Sequence, residues 1–179
     1  MSTLHVENLK GLSSGGNANK IIVPSGQTLD ASNGFVAPAG HVIQVVNGSM
    51  GGSDLNLTSA SWADIGLSAA ITPSSTSSKI IVTASFQIRV LGTQNATLRG
   101  GFRGLRDSTN VWNTSSYDET QQIRESGTEW NDTVSFRFID SPSTTSSTTY
   151  KIQGYAKAGT VRVYNATRGG QIILEEVAQ

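Results

Sequence analysis

Between Lys79 and Val90 the chain alternates with a period of two. Ile80, Val82, Ala84, Phe86, Ile88 and Val90 fall on one side of an extended backbone; Lys79, Thr83, Ser85, Gln87 and Arg89 fall on the other. Successive side chains of a strand point to opposite faces, so this pattern predicts a half-buried antiparallel strand. Val134, Phe136 and Phe138 alternate with Ser135 and Arg137 in the same way, and Tyr150, Ile152, Gly154 and Ala156 alternate with Lys151, Gln153, Tyr155 and Lys157. Further strands are expected at 41–47, 67–72, 96–105, 160–165 and 171–178. About eight strands are enough for two packed antiparallel sheets or a closed jelly roll. The last of them is different. In the run from Gly170 to Ala178 both faces carry apolar residues. A strand apolar on both faces is buried on both. Near the end of a small sandwich the second covering surface is expected to be a neighbouring subunit. Ile172, Ile173, Leu174 and Val177 are therefore the candidate contacts of a homotrimer.

Residues 1 to 40 follow no such pattern. Short apolar groups, Leu9, Leu12, Ile21-Ile22-Val23, Leu29 and Phe35-Val36, are separated by Gly15-Gly16, Pro24, Gly26, Gly34, Pro38 and Gly40. Glycine and proline at that density break regular elements. The segment reads as an extended arm, with Leu9, Leu12, Ile21, Ile22 and Val23 as anchors against a partner and residues 41–179 as the β-sandwich head. Fully extended, such an arm reaches about 130 Å. In the head, the Ser/Thr-rich stretches 73–78 and 141–147 read as polar hairpin loops.

Composition supports the strand reading and narrows the function. Apolar residues make up 36% of the 179 and charged residues 15%, both below globular averages, the balance being Gly, Ser, Thr and Asn. That mixture suits short strands and polar turns, and the chain reads as all-β. Lys+Arg and Asp+Glu are equal at 13 each. Phosphate-tracking proteins carry a basic excess, so nucleic acid is not an expected partner. Without cysteine there are no disulfides, thiolate metal sites or cysteine nucleophiles. The beginning of the chain has no secretory signal pattern, and no run approaches the roughly 18 apolar residues of a membrane span. Synthesis in the cytoplasm and no membrane partner are the expectations.

Catalytic chemistry finds little to work with. The histidines are His5 and His41, one in the arm and one opening the first strand. Neither a metal set nor a serine triad is expected from that placement, and no cofactor is implied. Gly100-Gly101-Phe102-Arg103-Gly104 lies in an alternating segment and reads as strand bends or close packing. Trp62, at the entry to a strand, reads as a core or interface filler. The segment from Asp107 to Asp132 is richer. It holds Trp112, Tyr117, Asp118, Glu119, Arg124, Glu125, Glu129 and Trp130. Its length exceeds the ~12–15 residues at which structureless loops become uncommon, so it is either functional or contains a short hairpin. Aromatic rings beside carboxylates can stack on a sugar and bind its hydroxyls. Trp112, Tyr117 and Trp130 are the candidate platforms and Asp118 and Glu119 the polar partners. Packing of those tryptophans onto the sandwich is the structural alternative.

Several phrases resemble known proteins. The opening from Val6 to Leu29 resembles fibre-like structural proteins of tailed bacteriophages, especially of marine and cyanobacterial hosts. Trp62 to Val82, with Asp64-Ile65-Gly66-Leu67 and Ile71-Thr72-Pro73 leading into Ser74 to Val82, resembles the start of their C-terminal head domains. Ile172 to Val177 is similar to their last strand. The resemblance implies a trimeric virion appendage, exposed on the particle and assembled in the host cytoplasm. Its arm would bind other virion proteins, and its jelly-roll head would be of the kind found in tumour-necrosis-factor or complement-globular trimers. It implies no catalytic set. The expectation is a non-enzymatic short tail fibre or receptor-binding protein that attaches to host surface polysaccharide. A capsid decoration or head fibre is the nearest rival, and a glycan depolymerase the rival from another class.

Overall fold

The computed structural model describes residues 11, 13–16, 18, 20–28, 37–92, 98–112, 121–123, 129–165 and 169–179. Two compact units divide the chain, residues 1–36 and 37–179. In the first, the described residues form turns and no strand: Ala18 N donates to Gly15 O and Gln27 N to Pro24 O. Ile21, Ile22 and Val23 are exposed there. Leu9 and Leu12 lie outside the described residues.

The second unit is all-β, with no helix among the described residues. Its strands are β1 (Val42–Ser49), β2 (Leu55–Leu57), β3 (Ala63–Ile71), β4 (Lys79–Leu91), β5 (Leu98–Arg106), β6 (Thr109–Trp112), β7 (Gln121–Ile123), β8 (Glu129–Asp140), β9 (Thr148–Ala158), β10 (Thr160–Val163) and β11 (Gly170–Val177). Every pairing is antiparallel. Sheet I holds β1, β11, β4, β8, β10 and β2; sheet II holds β3, β9, β5, β6 and β7. Strand β4 is the spine of sheet I. One of its edges takes β11 along Lys79–Phe86 and then β10 along Ile88–Leu91, while β8 runs the whole length of the other edge. All the expected strands are present. Three short ones, β2, β6 and β7, lack enough residues to show a period. Segment 107–132 contains β6, β7 and the start of β8, so it is not a structureless loop.

The alternation seen in the sequence is the packing. Ile80, Val82, Ala84, Phe86, Ile88 and Val90 are buried between the sheets, together with Ile65, Leu67 and Ile71 of β3, Tyr150 and Ile152 of β9, and Ile172 and Leu174 of β11. At the centre Phe86 meets Phe102 edge-on at 4.9 Å and Phe136 at 6.3 Å. Glycines make room for these rings. A Cβ on Gly154 would lie 2.7 Å from Phe102 Cε1 and 2.8 Å from Leu57 Cδ1; one on Gly104 would lie 3.0 Å from two Phe138 ring atoms. The close-packing reading of the glycine-rich segment thus holds at Gly104. Gly154→Val is expected to overpack the core and lower stability by about 1–3 kcal/mol. In urea unfolding the midpoint should fall while the slope stays unchanged.

One expectation is corrected. Segments 73–78 and 141–147 are not hairpin loops. The first leads from β3 in sheet II to β4 in sheet I, and the second from β8 in sheet I to β9 in sheet II. The strands they join lie in opposite sheets, so each segment is an arch over the sandwich edge. Polar composition marks an exposed turn but does not say whether the next strand pairs or stacks. A polar tie also joins the sheets at the rim: Asp140 Oδ2 of β8 accepts from Tyr150 Oη at 2.7 Å and from Arg106 Nη1 at 2.8 Å. Burial first, and then the Asp140 carboxylate, push the Tyr150 hydroxyl far above its ordinary pKa, so it stays a donor.

Candidate functional site

One end of the face of sheet I turned away from the core carries a group of apolar residues. Across it, Val45 of β1 is in register with Glu175 of β11, Glu175 with Ile81 of β4, and Ile81 with Ile139 of β8. Val42 pairs with Val177 on one side of that row, and Ile173 pairs with Thr83 on the other. Ile43, beside the bulge that shifts the β1–β11 register, is exposed as well. Val45 and Ile139 stand 60% and 63% exposed. Outward positions of a solvated antiparallel sheet are normally polar, and a contiguous apolar patch on a small domain marks an interaction surface. An ion pair crosses this face from Arg137 Nη2 to Glu175 Oε2, at 3.4 Å. Toward the other end of the same face lies a shallow cavity of about 420 Å³ lined by uncharged residues, among them Ser85, Gln87, Thr133 and Gln171.

The candidate subunit contacts in β11 therefore divide. Ile173 and Val177 lie on this outer face, whereas Ile172 and Leu174 are fully buried in the chain's own core. Assigning Ile172 and Leu174 to a subunit contact is corrected: side chains two apart share a face, and theirs is the inner one. Glu176 is on that inner face too and is 0% exposed.

Among the sugar-binding candidates, Trp112 is half-buried. Its ring stacks on Phe136 with centroids 4.1 Å apart and planes 13° apart, and Phe138 continues the stack at 6.2 Å. That ring face closes the sandwich between β6 and β8 and is not open to a sugar. Trp130, opposite Val90 at the start of β8, is 44% exposed. The two tryptophans belong to opposite sheets. Tyr117, Asp118 and Glu119 lie outside the described residues. His41 is exposed, its Nδ1 3.0 Å from the Pro38 carbonyl oxygen. No group of three His, Cys, Asp or Glu side chains among the described residues is placed to hold a metal ion.

A second cluster covers the outer face of sheet II. Trp62, just before β3, lies edge-on to Tyr155 of β9 at 4.5 Å. The Arg103 guanidinium of β5 sits 4.4 Å from the Trp62 ring centroid. Gln153 Oε1 accepts from Arg103 Nε at 3.0 Å and from Nη2 at 2.7 Å. Gln153 Nε2 donates in turn to Asp64 Oδ1 at 2.7 Å, and Lys151 Nζ donates to Asp64 Oδ2 at 2.9 Å. Partial burial alone would raise the Asp64 pKa; the bonds from Gln153 and Lys151 outweigh it and hold the carboxyl below its ordinary value. The register pairs Asp64 with Gln153 and Gln153 with Arg103, so three adjacent strands contribute one row. Trp62 is half-buried against Tyr155 and Arg103 on this outer face and is not part of the core. Arg103 is the residue sequence reasoning passed over. Its signal was an outward cation inside a run read only for its glycines.

No family model matches the chain, and no curated protein matches it.

Proposed function

We propose that the chain is a non-enzymatic virion structural protein of a tailed bacteriophage: a short trimeric tail fibre or receptor-binding protein that attaches to host surface glycan. One observation carries the reading. The outer face of sheet I presents Val42, Val45 and Ile139 to solvent beside Ile81, Ile173 and Val177. A single subunit leaves that surface wet, and a symmetric assembly removes it from water. The strand order supports the jelly-roll form of the head: β1-β11-β4-β8 in one sheet faces β3-β9-β5-β6 in the other, and arches carry the chain between the sheets. With three copies joined through sheet I, sheet II faces outward and is the surface available to a host. Residues 1–36 are the part that joins the particle.

Competition for adsorption tests this function. Purified full-length protein, added to host cells beforehand, is expected to block adsorption of the phage that carries it and to release no reducing sugar. A capsid decoration protein leaves adsorption unchanged, and its loss weakens the shell instead. A depolymerase releases sugar.

A further inference from the structure

We infer that Arg103 and Lys151 form an oxyanion-binding site on the outer face of sheet II, built to take the acidic group of a charged polysaccharide. The inference rests on the glycan-attachment reading and narrows it to acidic glycan. Its basis is the way the guanidinium is held. A free arginine loses considerable rotamer freedom when it binds, and this one has lost it beforehand. Trp62 holds its flat face at 4.4 Å, and the Gln153 amide oxygen fixes the Nε and Nη2 side. Guanidinium has five N–H donors, and Gln153 takes two of them. The remaining three lie on Nη1 and Nη2, the fork that binds carboxylate, sulfate or phosphate oxygens in pairs.

Charge points the same way. Among the described residues no carboxylate lies within ion-pair distance of Arg103. The nearby Asp64 has Lys151 on one oxygen and Gln153 on the other. In the row formed by Asp64, Lys151, Gln153 and Arg103, two cations accompany one carboxylate. The chain as a whole is neutral, so the single positive charge left over in this row comes from its arrangement and not from the composition. A purely structural network would place the carboxylate on the arginine. Here an amide holds the arginine from the side, and Asp64 acts on its charge only through space, without a hydrogen bond to it. Gln153 positions the guanidinium, and the Asp64–Lys151 pair positions Gln153. The neutral cavity on sheet I has no such charge and lies on the face assigned to subunit contact.

Titration of the full-length protein with three polymers of similar length tests the site: polygalacturonate, dextran sulfate and neutral dextran. Wild type is expected to bind at least one acidic polymer at least tenfold more tightly than dextran, with binding weakening as salt is raised. The preferred acidic polymer identifies the group as a uronate carboxylate or a sulfate ester. Arg103→Gln is expected to lower that affinity at least tenfold with an unchanged melting temperature, and Arg103→Lys to restore it only in part, because an ammonium lacks the fork. Should Arg103→Gln fail to fold, Lys151→Gln is expected to give the same loss. Equal binding of dextran and the acidic polymers overturns the site while glycan attachment stands. Undiminished acidic binding in a folded Arg103→Gln variant overturns it as well. Absence of binding to every polymer, with adsorption still blocked by the wild type, overturns the acidic-glycan site and leaves the attachment role.

Discussion

Replacing Glu176 by leucine is expected to cost the head about 3 kcal/mol or more and to free the 73–78 arch. The carboxylate is wholly buried, and among the described residues no cation lies on it. Neutral donors hold it instead. Oε1 accepts from Ser74 N at 2.7 Å, Ser74 Oγ at 2.6 Å and Ser78 Oγ at 2.6 Å, while Oε2 accepts from Gln44 Nε2 at 2.6 Å. Hydrogen bonds to a charged acceptor contribute about 1.5–3 kcal/mol each, and a buried donor left without a partner costs about 1–3 kcal/mol. The serine hydroxyls can turn to other acceptors after the substitution, but the Ser74 backbone N–H cannot. Glu176→Gln keeps an oxygen for that N–H and should fall between wild type and the leucine variant. Burial alone would raise the Glu176 pKa; the bonds from Ser74, Ser78 and Gln44 together outweigh it and hold the group below its ordinary value. Since the folded pKa is below the unfolded one, the ionised carboxylate stabilises the head fully above the unfolded pKa. That contribution is lost as pH falls through the folded pKa. Thermal melts at neutral pH should separate the three proteins, and the gaps should narrow in acid. Identical melting of wild type and Glu176→Leu at neutral pH would show that the arch is held by something else.

Charging the outer face of sheet I should reduce the proposed trimer to single chains. The full-length protein is expected to sediment at three times its chain mass at micromolar concentration, and Val45→Asp combined with Ile139→Asp at the chain mass. These two positions are better probes than Ile173, which is half-buried against its neighbours and whose change also threatens the fold. At 60% and 63% exposure, Val45 and Ile139 add little to the stability of one subunit. Once covered by another copy, an unpaired carboxylate there costs several kcal/mol, enough to separate the subunits. Circular dichroism should show the β signal retained by the variant, with a melting temperature that no longer depends on protein concentration. A wild-type protein that sediments as a monomer removes self-association as the purpose of the apolar face. A trimer that survives both substitutions places the contact elsewhere.

How much of this was legible before the structure depends on how local the cause is. The inward sides of β4, β8 and β9 were readable from alternation alone, because side-chain direction along a strand is a property of the backbone. So were the all-β class and the packing role of Gly104. The last strand shows where that reading ended. Apolar residues on both faces of β11 signalled two covering surfaces, but not that Ile172 and Leu174 belong to the chain's own core while Ile173 and Val177 face outward. That division depends on which face of β11 the other sheet covers. Likewise Glu176 reads in sequence as one more surface acid near Glu175. Only the fold puts it beneath an arch from a segment 98 to 102 residues earlier. The same holds for the arches read as hairpins, for Trp112 stacked on Phe136, and for Arg103 pinned between Trp62 and Gln153. By itself the sequence determined local direction, strand by strand: which residues point together and where the backbone must turn. Only the tertiary structure decided which strands pair, which stack, and which distant polar groups meet. Those contacts join residues far apart in the chain, and no periodicity along the chain encodes them.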